Sequence, residues 1–262
     1  MMNFLFLFLV TTVVSVYLVS ITARQLRKPK VYGNAIPKKE LETNYDNTKK
    51  KIVLYHNYFR TKVDPPARDM LHMKWYRKAQ DAAQRWAEAC ELLIHDNVTG
   101  RWTEDYGSCG QNIFVANVQV PWFFAIKTWF LEKDNFTYGG QNDLGVVGHY
   151  TQMVWYSSHK VGCGFHYCAH AKPRPYFNYV CNYCPIGNFP DRLGRPYEEG
   201  KPCGECKGSC KYKKLCTNFC PYADLWMNCQ ELNATWHDWL CKGERPVDHC
   251  RATCQCGTNT IF

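Results

Sequence analysis

The chain has 262 residues, 46% of them apolar and 15% aromatic, which supports a buried core and excludes a disordered protein. Its sixteen cysteines are an even count far above cytosolic usage, so it reads as a disulfide-framed product of an oxidising compartment. The net charge of +9 sits mostly at one end: residues 24–51 hold nine Lys or Arg against three acids, and the rest is close to balance.

The first element is an uncharged apolar run, residues 4–23, followed at once by "RQLRKPK". It reads as a secretory signal (residues 1–23) with small Ala23 at the cleavage edge, and the expected location is extracellular. A stretch of about twenty apolar residues also suits a signal anchor, which is the competing reading. The basic arm, residues 24–47, could touch an anionic membrane or glycan, although such a run more simply reads as a solvated tail.

Helical spacing then appears three times. "TKKKIVLYHNYFRTKV" aligns Ile52, Tyr55, Phe59 and Val63; "WYRKAQDAAQRWAEAC" aligns Ala79, Ala82, Trp86 and Ala89; "VPWFFAIKTWFLEK" opens on Pro121 and aligns Trp122, Ile126 and Trp129. Strand-like runs follow at "YTQMVWY", "KVGCGFHYC" and "YFNYVCNY". Helices succeeded by strands imply an α+β layered domain over residues 48–190. The Pro- and Gly-rich "PIGNFPDRLGRPYEEGKP" opens a linker and hinge, residues 191–219, and residues 220–262 form a small cysteine-rich end. Ten cysteines in the last sixty residues imply a body held by crosslinks rather than by its own core.

Several chemistries are excluded by motif. Cys181, Cys184, Cys203 and Cys206 have zinc-ribbon spacing, but an oxidising compartment leaves no thiolates for such a site. No H-E-x-x-H helix, G-x-S-x-G elbow or Gly-rich phosphate loop occurs, and nucleic acid is not an expected partner. Sequons stand at Asn97, Asn135 and Asn233 and are expected on surface loops or element ends.

Four ordered words carry the most specific signal: "HNYFR" (His56 to Arg60), "CGQNI" (Cys109 to Ile113), "GHYTQMVW" (Gly148 to Trp155) and "YVCNYCPIGN" (Tyr179 to Asn188). With the cysteines of the tail they resemble the cysteine-rich secretory proteins of the CAP superfamily. The resemblance implies an α-β-α sandwich, a disulfide hinge and a small helical domain that regulates ion channels. It also implies the pairs Cys90 with Cys168, Cys109 with Cys184, Cys163 with Cys181, Cys203 with Cys210 and Cys206 with Cys216. In the terminal domain it implies Cys220 with Cys256, Cys229 with Cys250 and Cys241 with Cys254. Spacing alone leaves this connectivity open.

The same resemblance implies a surface cavity built from His95, Gln111, Glu132 and His149. Two imidazoles there could hold a weakly bound zinc, although no cofactor is expected to be required. Gln111 stands where many relatives have Glu, and His95 follows Cys90 by one residue more than the pattern suggests. A polar cavity that orders the fold is expected rather than a catalytic site, with a metal-dependent hydrolase as the minor alternative. His159 and His166 read as packing or surface residues, and His56 with Arg60 as a device that fixes a helix.

In the tail, Tyr222, Trp226, Trp236 and Trp239 are each expected to serve the small core first, leaving one or two exposed as a binding surface. The functional expectation is a monomeric, non-enzymatic protein that binds a cell-surface membrane protein, a cation channel, through residues 203–262. The alternative is an adhesion or recognition factor acting on a receptor or sterol-bearing membrane through the first domain.

Overall fold

The computed structural model describes residues 36–243 and 246–262, so the expected signal segment and the first half of the basic arm lie outside the described residues. At its centre is a four-stranded sheet in the order β1-β5-β6-β4, with β1 Lys74–Trp75, β4 Gly110–Ala116, β5 Lys160–Cys168 and β6 Tyr176–Cys184. β5, β6 and β4 pair antiparallel, and β1 runs parallel to β5. A separate small hairpin, β2 Trp102–Thr103 with β3 Gly107–Ser108, leads into β4. The register sets Cys163 directly opposite Cys181, and that cross-strand pair is bridged.

A four-residue helix, α1 Lys38–Leu41, comes first and buries Leu41. One face of the sheet is covered by α3, Arg77–Ala89. Ala79 and Ala82 are buried as expected, but the stripe continues through Ala83 and Ala87 rather than through Trp86 and Ala89, because Ala89 is exposed and the helix rests its smallest side chains on the strand. The approach is close: a Cβ at Gly162 or Gly164 of β5 would overlap backbone atoms of Tyr76 to Gln84. These glycines are required for helix–strand contact, not for turn geometry.

The other face carries α2 (Asp46–Arg60), α4 (Trp122–Leu131) and α5 (Leu144–Met153), completing the expected α-β-α arrangement. Here Ile52, Phe59, Trp122, Ile126, Trp129, Phe130, Tyr150 and Met153 pack with Val161, Tyr179 and Tyr183 in the main core. Trp122, Ile126 and Trp129 form the buried stripe that the sequence indicates, and α4 begins directly after Pro121.

Two expectations fail. "YTQMVWY" is not a strand: its first four residues end α5, whose Asp143 cap accepts a hydrogen bond from the Gly145 amide. Tyr150 and Met153, one helical turn apart, both reach the main core, so packing overrides a strand-like local pattern. The edge strand β4 is the second departure, and because it lies between α3 and α4 the helices do not simply precede the strands.

The eight bridges close as Cys90–Cys168, Cys109–Cys184, Cys163–Cys181, Cys203–Cys210, Cys206–Cys216, Cys220–Cys256, Cys229–Cys250 and Cys241–Cys254, the pairs that the resemblance implies. Residues Asn34–Phe262 form one compact unit. The hinge hairpin, β7 Cys210–Lys211 and β8 Leu215–Cys216, docks on the segment before β1 through His72 N to Cys216 O and Cys216 N to Met70 O, both 2.8 Å. Phe219 stacks on buried His159, with centroids 4.5 Å apart. The terminal part holds α6, Cys229–Lys242, and α7, Arg251–Gln255.

Gly164→Ala should lower stability by about 1–3 kcal/mol, the usual range for overpacking a tight interior contact. Gly257→Ala, where an added Cβ meets nothing within 4 Å, should be nearly neutral. Urea denaturation of both variants checks the contrast.

Candidate functional site

Each candidate histidine is aimed by an acceptor on its own Nδ1. His149, on α5, contacts Glu132 Oε1 at 2.6 Å through Nδ1, while Glu132 Oε2 accepts the backbone amides of His149 and Tyr150 at 2.9 and 3.0 Å. Glu132 opens a 3-10 turn (Glu132–Asn135) that continues α4, so this carboxylate joins α4 to α5. The His149 ring also stacks on Trp129, 6.2 Å between centroids and 18° from parallel. His95 contacts Gln111 Oε1 at 2.9 Å, and the same oxygen accepts the Asp96 amide at 3.0 Å.

A Gln111 oxygen that already accepts an amide must be an acceptor toward the ring, so His95 carries its proton on Nδ1. The Glu132 carboxylate imposes the same tautomer on His149. Both Nε2 atoms are left as the unprotonated nitrogens, the form that a metal ion uses.

Both pairs contact the edge strand β4. Gln111 and Asn112 are neighbours on edge strand β4 and so point to opposite faces. Gln111 faces His95 and donates Nε2 to Asn182 Oδ1 at 3.0 Å, whereas Asn112 donates to the His149 carbonyl at 3.0 Å. His95 is held below its ordinary pKa, first by desolvation and then by the charges of Arg101 and His149, against the Gln111 hydrogen bond. The segment that brings it there uses left-handed backbone at Cys90 and Leu93, φ 57° and 56°, a local geometry that spacing alone does not reveal.

The structure thus pairs His95 with Gln111 and His149 with Glu132, and His95 feels the charge of His149. It does not make them a compact metal cluster: among the described residues, the one group of three metal-ligand atoms is Cys203, Cys206 and Cys216, all in disulfides. Cys181 and Cys184 are likewise bridged, which disposes of the zinc-ribbon spacing.

The remaining motif residues are structural. His56 is fully buried, with Nδ1 2.8 Å from Ile52 O and Nε2 2.9 Å from Tyr183 Oη. His159 is buried between Tyr106 Oη (3.2 Å) and Ser157 O (3.0 Å), and His166 is half-buried on β5.

Three of the four tail aromatics are exposed, against the expectation that most would serve the core. Trp236 and Trp239 are 60% and 53% exposed and lie edge-to-face at 6.4 Å; Trp226 is partly exposed over His249, and Met227 beside it is 87% exposed. Trp236 itself departs from helical geometry (φ −136°, ψ 50°) and kinks α6. Tyr222 is half-buried beneath the Arg251 guanidinium at 3.7 Å. Asn97 and Asn135 are exposed at a loop and an element end, but Asn233 lies within α6, where its Oδ1 contacts His237 Nδ1 at 2.7 Å.

Comparison with known proteins agrees with this architecture. The CAP model, described as "Cysteine-rich secretory protein family", matches residues 53–183, and the Crisp model matches residues 203–261. The chain belongs to the cysteine-rich secretory protein family. It is 43% identical over 224 residues to human Cysteine-rich secretory protein 3, covering 85% of this chain and 88% of that protein. It is 42% identical over 221 residues to Cysteine-rich secretory protein 2 of Cavia porcellus, covering 82% and 86%. Among solved structures, "Crystal structure of NaASP2 with Zn2+" has a TM-score of 0.53 at 27% identity, covering 70% of this chain and all of that one. "Crystal Structure of Na-ASP-1" shares the fold at a TM-score of 0.54 and 23% identity, covering 73% of this chain and 52% of that one.

The buried histidines set an acid limit on stability. His56 and His72 are pushed down to about 4 and His159 to about 3, in each case first by desolvation. The unfolded chain takes up these protons near pH 6.5, so stability falls as pH falls from about 6.5 to about 4. Asp69, pushed up to about 6 by burial, acts in the opposite sense between about 6 and 4 and offsets part of the loss. The thermal midpoint should drop between pH 7 and pH 4, and His159→Gln should flatten the slope. A midpoint constant over this range in the unmodified protein would contradict the assignment.

Proposed function

We propose that the chain is secreted and non-enzymatic and binds the extracellular face of a membrane protein, a cation channel, through residues 203–262. The observation that carries this reading is the Trp236–Trp239 pair. Two large aromatic side chains stand exposed on a kinked helix whose ends are tied by Cys229–Cys250 and Cys241–Cys254, so they form a rigid apolar surface with little left to order on binding. Exposed Trp226 and Met227 add to the apolar surface of the same terminal part.

In the full-length protein, Trp236→Ala with Trp239→Ala should weaken binding to target-bearing cells by about 30-fold or more, the cost of losing one interface hot spot. Neither side chain belongs to the core, so the thermal midpoint should hold. Unchanged cell binding would move the recognition surface to the first domain.

The His95 and His149 cleft is proposed to hold zinc weakly and without turnover. Two Nε2 atoms fit a metal, and their partners fix the required tautomer, but two imidazoles are too few for a closed tetrahedral site. The choice of ion is supported by the similar NaASP2 structure, a crystal structure with Zn2+. When bound, such a metal would polarise a coordinated water; Glu132, the nearby carboxylate, is already committed to His149 and two amides.

Gln111→Glu should tighten zinc by about 10-fold, as expected for a changed outer-shell partner. A carboxylate at position 111 would accept from His95 more strongly, and Asn182, whose buried Nδ2 has no partner, could turn to donate to it. Binding should weaken as the solution is made more acid, because protons compete with the metal for imidazole nitrogen. Calorimetric titration with zinc beside a peptide-hydrolysis assay checks both statements: equal affinity in the two proteins, or metal-dependent turnover lost in His149→Ala, would overturn them.

A further inference from the structure

A groove of about 760 Å³, away from the histidine cleft, runs between α2, β1 and the tip of the hinge hairpin. Its walls are of two kinds. Leu54 and Tyr212 are exposed and Trp75 is half-buried, giving apolar surface on three separate elements. Lys50, Lys74 and Lys211 come from the same three elements, and none has a carboxylate partner among the described residues. The other cations of the rim are already paired, Lys49 with Asp46 at 3.0 Å and Arg77 with Asp81 at 2.8 Å. The Lys74 ammonium is turned toward the Phe219 ring, which is not part of the lining, whereas the Lys211 ammonium lies over the lining ring of Tyr212 at 5.3 Å, which leaves Lys50 and Lys211 as the groove's cations.

Two further observations indicate that the groove is built for a ligand. His72 lines it, is only 8% exposed, and has a buried Nδ1 with no hydrogen-bond partner. The hairpin tip is the second. Lys214 N bonds to Lys211 O at 3.1 Å, and both central residues of that turn have left-handed backbone, Tyr212 at φ 54° and Lys213 at φ 58°. A turn with two such positions strongly favours Asn-Gly. Tyr and Lys are poor choices for the backbone, so their side chains must account for their presence, and the Tyr212 ring leans over His72 at 5.8 Å.

We propose that this groove binds a small amphipathic anion, one sulfate or carboxylate head on a flat apolar body. The head lies between Lys50 and Lys211, within reach of the His72 imidazole. The body lies on Leu54, Trp75 and Tyr212, where its burial adds to the charge attraction and selects against bare anions. Cations on both banks make a neutral ligand the weaker binder, and the apolar floor does the same for an inorganic one.

The test uses the full secreted protein and 2-naphthyl sulfate as the probe, followed by calorimetry, with 2-naphthol and inorganic sulfate as its two halves. The expected result is that the probe binds at least 10-fold more tightly than either half. Lys50→Glu with Lys211→Glu should weaken it by 10-fold or more with no change in thermal midpoint, because both side chains are exposed. Tyr212→Gly, which relieves the left-handed backbone and so holds or raises stability, should also weaken the probe. Equal affinity for inorganic sulfate, equal affinity for 2-naphthol, or an unchanged Kd in the charge-reversed protein would each overturn the proposal. A heparin octasaccharide that binds far more tightly than the probe, and loses its binding in the same charge-reversed protein, would overturn it in favour of a polyanion site.

Discussion

The Arg60 guanidinium, buried to 1% exposure with no salt-bridge partner among the described residues although the charge of Asp69 favours its charged form, is the interaction on which the rest of the molecule hangs. It makes five hydrogen bonds to four backbone carbonyls: Leu71 twice (3.0 and 2.7 Å), Met153 and Trp155 (2.8 Å each) and Tyr156 (3.1 Å). The Met153, Trp155 and Tyr156 carbonyls end α5 and line the turn after it, where a helix leaves acceptors without partners and the dipole favours a cation; the Leu71 carbonyl belongs to the segment before β1. Burial pushes Arg60 down to about 9, which still leaves it charged at neutral pH. Desolvating that charge costs several kcal/mol, and the carbonyls offset it only because the planar fork meets them in fixed directions. A lysine, with one nitrogen, could not span four acceptors on two segments.

From this one group the order spreads in two directions. One helical turn earlier, His56 fixes α2 to Tyr183 of the central strand β6, and Asn112 of β4 donates both to that hydroxyl (3.4 Å) and to the His149 carbonyl. The cleft histidine is therefore positioned through the same buried polar chain that holds the sandwich together. On the other side, Leu71 is gripped by Arg60 while its neighbours Met70 and His72 bond the hinge hairpin. The hairpin tip and the groove beneath it take their position from the same arginine.

This explains why the sequence is legible in some places and not in others. The four motif words are one network: Arg60 holds the end of "GHYTQMVW", Asn188 donates to Gly148 at 2.8 Å, Gly187 N to Gln152 Oε1 at 3.1 Å, and Gln111 to Asn182. Polar residues with so many fixed partners leave a recognisable pattern in sequence, and Gln111 and His149 of the expected cavity stand within it. The misreadings fall where local pattern and tertiary packing disagree. Val154, Trp155 and Tyr156 look like the end of a strand yet follow a helix, and α3 turns Ala83 and Ala87 inward onto Ile113 and Val180, with Gly164 leaving room for the close approach. The groove carries no motif at all, since its lysines and aromatics come from α2, from β1 and from a hairpin more than a hundred residues further along the chain.

The tail shows the reverse relation between composition and burial. In the first domain nearly every tryptophan is buried or half-buried, because the sandwich is built from apolar contact; Trp122, Trp129 and Trp155 are each at most 2% exposed. In the terminal part, the buried cluster consists of Leu240 with Cys229 and Cys250, supported by Leu232, Cys241 and Cys254. Bridges there do what aromatic packing does elsewhere: they limit the unfolded chain and fill the small interior. Aromatic side chains are then free of core duty, which is why counting them overestimates the core of a crosslinked domain. Trp236 and Trp239 can stand outside on a kinked helix because the crosslinks at its two ends, and not these rings, hold the fold beneath them.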